Sequence, residues 1–184
     1  MGFCCWGQNN ACIDIEVNKI EGIKIPKDKV YECPRQKMFD ELSEDQKKLI
    51  YVTYAKEHKV DIRKDKKIIL FTQPLAADRF VQTLEEQKTV FEKVIKEFVM
   101  AGYAVTIKPH PRDMMDYSEL IKKYHCFYID KNIPSEILNF NLDSTYEMAV
   151  SITSTAINFL KTAKEKRFLG KEFISSALKE RNHQ

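Results

Sequence analysis

A chain of 184 residues, 43% apolar and 31% charged, is long enough for one substantial core plus appendages and folds without staples. Its formal charge of +3, from 30 basic and 27 acidic residues with no long basic block, argues against a nucleic-acid partner, and no apolar run approaches the ~18 residues of a membrane span. Five cysteines (Cys4, Cys5, Cys12, Cys33 and Cys126) without a signal-peptide pattern point to free thiols in a reducing cytoplasm, and they match no zinc spacing.

In chain order, residues 1–42 hold one alternating run, Ala11 to Val17, and no helical period, which predicts one strand followed by irregular chain, a remnant or linker. From Ser43 the pattern changes. A cap at Ser43-Glu44-Asp45-Gln46 opens a partly apolar helix to about His58 that leads into a domain over 43–184. Lys66 to Thr72 is a compact apolar strand broken by Gln73-Pro74, and Asp78 to Ala101 has helical periodicity ending at Gly102. Tyr103 to Ile107 completes a βαβ unit with an expected right-handed crossover. A helix over Met114 to Tyr124 and a strand over Cys126 to Ile129 come next. A helical turn over Ser135 to Phe140, a strand over Tyr146 to Ile152 and a helix over Ser154 to Lys164 follow, then an edge strand at Arg167 to Leu169 and a last helix near Glu172 to Glu180. Such alternation predicts an α/β, Rossmann-like parallel sheet with helices on both faces.

Strand-end loops of such a sheet converge on one crevice. The most informative of them is Lys108-Pro109-His110-Pro111-Arg112-Asp113, where two prolines hold an imidazole at the end of a strand. Alone, the motif reads as a surface turn. Its company changes that reading: Thr72 and Gln73 end one strand, Glu136 lies in the Ile133-Pro134-Ser135-Glu136 turn, and Ser154 and Thr155 open a helix. Hydroxyls and free N–H groups of a first helical turn suit a phosphate, although Ser and Thr there equally serve as caps. Glu136 suits a ribose diol, and equally a first-turn carboxylate that stabilises its helix. With no Gly-rich phosphate loop, NTPase and nicotinamide chemistry are not indicated.

Phe71-Thr72-Gln73-Pro74-Leu75, the Lys108–Asp113 motif, Ile133–Glu136 and Ser151-Ile152-Thr153-Ser154-Thr155-Ala156 together resemble the carboxyl-terminal half of glycosyltransferase family 52, the bacterial lipooligosaccharide sialyltransferases, with the bacterial polysialyltransferases as relatives. The resemblance spans about Lys66 to Leu169. It implies one half of a GT-B fold, two Rossmann-like domains facing a cleft, with CMP-sialic acid as donor and no metal or cofactor needed for catalysis. His110 and Pro111 match the His-Pro motif, whose His contacts the donor phosphate and assists departure of CMP. Ser154 and Thr155 match the paired-hydroxyl motif, with Thr155 in place of the usual second Ser, and Glu136 matches the residue that holds the cytidine ribose.

The family's general base belongs to an acidic motif of the amino-terminal domain. Ile20-Glu21-Gly22 resembles that motif only faintly, and the base role is not carried over to Glu21. The expectation is a donor-binding half that is incomplete without an acceptor domain. Expected partners are a nucleotide-sugar donor and a glycan acceptor such as lipooligosaccharide or capsule, with contact at the inner face of the membrane and a homodimer left open. The alternatives are a GT-B transferase using a CDP-linked donor, and a nonenzymatic module that binds a partner through an amino-terminal segment exposing Phe3 and Trp6.

Overall fold

The computed structural model describes residues 12–23, 27–55, 66–140 and 145–181. Phe3, Cys4, Cys5, Trp6, Ala11 and His58, all used in the sequence reading, lie outside them. The chain divides into two units, Met1–Gln46 and Lys47–Gln184.

In the first unit β1 (Ile15–Val17) pairs in parallel with β2 (Val30–Glu32). The turn between them uses Gly22 at φ 83°, and the Ile20 N–H donates to the Glu32 carboxylate at 3.2 Å. A six-residue helix, α1 (Arg35–Asp40), follows Pro34, where a missing N–H costs nothing. The irregular chain expected after the first strand is thus replaced in part by a second strand and a short helix. Each is too brief to show a period. Helix α2 (Glu44–Ala55) starts where the Ser43 cap predicts, with the Ser43 hydroxyl accepting from Gln46 N–H and the Gln46 side chain accepting from Ser43 N–H.

The second unit is built on five parallel strands: β3 (Lys67–Phe71), β4 (Ala104–Lys108), β5 (Phe127–Tyr128), β6 (Tyr146–Ser151) and β7 (Ala163–Phe168). Their order is β5-β4-β3-β6-β7. The chain grows outward from β3 to one side, then returns to build the other, as in one half of a doubly wound dinucleotide-binding sheet. The fold is α/β and Rossmann-like.

Alternation along the strands divides the core into two layers. Ile68, Leu70, Val105, Ile107, Val150 and Ile152 face helices α3 (Leu84–Met100), α4 (Ser118–Tyr124) and α5 (Lys171–Arg181), meeting Phe91, Val94, Ile95, Leu120 and Ile174. Ile69, Phe71 and Ala149 face the other way, where 3-10 turns at Ser135–Phe140 and Thr155–Phe159 supply Leu138 and Ile157. The connections on the way out cross one face and those on the return cross the other. Right-handed crossovers require that division when a sheet is extended first to one side and then to the other.

Several boundaries differ from the sequence reading. Helix α3 begins at Leu84, because the loop before it folds into its own turns with Arg79 at φ 61°, and the Thr83 hydroxyl then accepts from Glu86 N–H. Residues 114–117 are not helical. There the Asp113 side chain accepts from Met115 N–H and the Asp116 carboxylate accepts from Ser118 N–H, so α4 starts at Ser118. The helix expected over 154–164 is a 3-10 turn of five residues, and the strand expected at 167 begins at Ala163. Leu160 and Ala163 are drawn into the second core layer, which ends the turn early.

Candidate active site

The register fixes the site. Phe71 pairs with Lys108 on one side and with Ser151 on the other, so β3, β4 and β6 end at one level. Thr72-Gln73, Pro109-His110 and Ile152-Thr153-Ser154 therefore leave the sheet together at its carboxyl edge. The gap between β3 and β6 is the switch point, since the chain runs to opposite sides of the sheet after these two strands. The strands that lead into His110 and into the Ser154–Thr155 pair, β4 and β6, flank β3 and so lie two strand spacings, roughly 10 Å, apart.

The imidazole of His110 is held at one nitrogen. Its Nδ1 accepts the Arg112 backbone N–H at 3.1 Å, so the neutral ring carries its proton on Nε2. The His110 pKa lies below its ordinary value, chiefly through burial and then the Arg112 guanidinium, with Lys108 acting the same way and the Asp78 and Asp113 carboxylates opposing. At neutral pH the ring is therefore a neutral donor through Nε2–H. Arg112 is anchored in turn by Asp78 at 3.1 Å. Pro111 is exposed beside it.

Two residues expected to face a ligand are engaged inside the protein. Thr72 is buried, and its hydroxyl donates to the Asp113 carboxylate at 3.0 Å. Gln73 bridges the switch point: Nε2 donates to the Thr153 hydroxyl at 2.8 Å, and Oε1 accepts the Thr153 N–H at 3.0 Å and the Ser151 hydroxyl at 3.4 Å. Both residues build the walls of the crevice. Ser154 accepts from Ala156 N–H at 3.3 Å as the cap of its turn, while Thr155 is exposed. Because that turn has five residues and 3-10 geometry, the α-helix dipole expected there is absent, and attraction of an anion falls to hydroxyls and neighbouring charges.

One of those charges was not anticipated. Lys108, the last residue of β4, is only 4% exposed and donates through Nζ to the carbonyls of Pro109 (2.9 Å) and Lys131 (3.2 Å). Burial brings its pKa down to about 8 against the pull of Asp130 and Glu136, so Glu136 stands within electrostatic reach of the His-Pro strand. Ser135 donates its hydroxyl to Glu136 at 3.2 Å. The signal for Lys108 was a charge closing an otherwise apolar run. Asp113 and Gln87 were also missed; Gln87 is a polar residue inside the apolar stripe of α3, between Leu84 and Phe91. Among the described residues no group of acidic, His or Cys side chains could hold a metal ion, and no helix is long and apolar enough to cross a membrane.

With this geometry in place, comparison with known proteins gives a match to the glycosyltransferase family 52 model over residues 3–169. The chain belongs to glycosyltransferase family 52. The match extends over most of its length, a span that contains the His-Pro turn and the Ser154–Thr155 pair. An uncharacterized protein of Haemophilus influenzae strain Rd is 29% identical over 118 residues, which are 64% of this chain and 37% of that protein. The chain thus spans little more than a third of the relative it matches. No solved structure matches this family 52 chain.

Proposed function

We propose that the Lys47–Gln184 unit is the donor-nucleotide domain of a GT-B sialyltransferase, binding CMP-sialic acid for transfer to a cell-surface glycan such as lipooligosaccharide or capsule. The observation that carries this reading is His110, fixed through Nδ1 at the carboxyl edge of the sheet beside its switch point. Its Nε2–H donates to a phosphate oxygen of CMP. Ser154 and Thr155 offer hydroxyls to the same phosphate from across β3, and Glu136 accepts from the ribose diol. During transfer the acceptor hydroxyl attacks the anomeric carbon, the bond from that carbon to the phosphate oxygen breaks, and His110 stabilises the charge on departing CMP. The base that takes the acceptor proton is not assigned to this chain. Because the donor is a cytoplasmic nucleotide sugar, the site works in the cytoplasm, at the inner face of the membrane where glycan acceptors are assembled.

With Nδ1 accepting the Arg112 N–H, the ring has no free acceptor for a second proton, so His110 meets CMP as the neutral Nε2–H donor. The test is calorimetric titration of CMP in buffers of different ionisation enthalpy, with CDP-glycerol and UDP as competing chemistries. Saturable CMP binding whose enthalpy is the same in each buffer, and which weakens in His110→Ala, supports the reading. Tighter binding of CDP-glycerol would replace the sialic acid donor by a CDP-linked one.

A further inference from the structure

Beneath the His110 turn lies a carboxylate that no ligand contact explains. Asp113 is 2% exposed and receives four hydrogen bonds from three segments of the chain. Its Oδ1 accepts from Gln87 Nε2 (2.8 Å) and the Met115 N–H (3.0 Å), and its Oδ2 accepts from the Thr72 hydroxyl (3.0 Å) and the Tyr117 hydroxyl (2.7 Å). Burial and the Asp113 charge raise the Tyr117 pKa well above its ordinary value, so its hydroxyl remains a donor. The Asp113 backbone is engaged as well: its N–H donates to the His110 carbonyl at 2.9 Å, and its carbonyl accepts from Lys131 Nζ at 3.0 Å. Gln87 extends the network by accepting the Ala76 N–H at 2.9 Å. One side chain and its neighbours thus tie together the loops after β3, β4 and β5.

We propose that Asp113 is a positioning residue for His110, locking the imidazole into a single tautomer and orientation by fastening its turn to the end of β3 and to α3. The proposal rests on the donor-site reading for its functional meaning, but not for its geometry. A buried carboxylate without a cation is costly and persists only where its hydrogen bonds are satisfied. Four donors satisfy it. A bland packing role is better served by an apolar side chain of similar size. The charge instead sets the spacing between the His-Pro turn and the first turn of α3.

The test follows the His110 imidazole by NMR in the full chain labelled at histidine, for wild type, Asp113→Ala and Tyr117→Phe. The charged groups acting on this ring are Arg112, Asp78, Lys108 and Asp113. Removing the Asp113 charge alone would lower the His110 pKa further, because a nearby carboxylate raises it. Releasing the turn does the opposite: the ring leaves its partly buried site, loses the Arg112 N–H, and titrates closer to its ordinary 6.5. The expected result for Asp113→Ala is a rise in pKa with loss of the Nε2–H preference, and for Tyr117→Phe a smaller change of the same sign. A fall in pKa, or an unchanged tautomer, in a folded variant overturns the proposal; if Asp113→Ala does not fold, Tyr117→Phe decides by the same criterion. Failure of the wild type to bind CMP would remove the donor-site reading while leaving this readout intact.

Discussion

Gln73 shows how far a residue can be read from sequence. Its place after an apolar strand marks it for the crevice, and it is there, but its amide is matched to Thr153 across the switch point rather than left open for a ligand. No spacing rule reveals such pairing between residues 80 positions apart. Gln73→Ala leaves the Thr153 N–H and hydroxyl without their partner, at a cost of roughly 1–3 kcal/mol. Urea unfolding should show a lower midpoint with unchanged slope, and an unchanged midpoint would mean that water replaces the amide. His110 was legible for a different reason, since two prolines constrain it locally. Lys108 and Asp113, two before and three after it, depend on contacts with Lys131, Gln87 and Tyr117, which only folding brings near.

Elements were legible where the period was long. Helix α3 shows its apolar stripe clearly, yet its start lay six residues beyond the expected Asp78, because the Asp78 carboxylate pairs with Arg112, Arg79 turns the chain into the left-handed region, and the cap falls to Thr83. Thr83→Ala should lower the stability of the unit by about 1 kcal/mol, measured by thermal unfolding, as for other N-cap deletions. No change would place the true cap elsewhere. The last strand was read in part as a helix for a physical reason. Ala163-Lys164-Glu165-Lys166-Arg167 is made of strong helix formers, but five of the six residues of β7 are exposed at the sheet edge, where charges prevent pairing with another chain. Tertiary position overrode propensity.

For the whole molecule, the alternation of strands and helices was enough to give the sheet, and the strand order gave the switch point where the site lies. The buried Lys108 adds a pH dependence to this unit. Its pKa is about 8 when folded against 10.5 when unfolded, so the unfolded chain binds the extra proton between those values and the Lys108 contribution to stability rises with pH across that window. The gain is on the order of 3 kcal/mol by 1.36 kcal/mol per unit. Comparing urea unfolding of wild type and Lys108→Met from pH 7.5 to 10.5 cancels the other titrating groups, among them Cys126 with its raised pKa, and the difference should move in favour of wild type as pH rises; parallel curves would contradict it. The central claim, that the sheet edge around His110 is a donor-nucleotide site, is tested most directly by calorimetric titration of CMP into the wild-type chain and into His110→Ala. Saturable binding that weakens at least tenfold in the variant, about 1.4 kcal/mol, is the predicted result. Equal binding by the two chains, or none by the wild type, would contradict it.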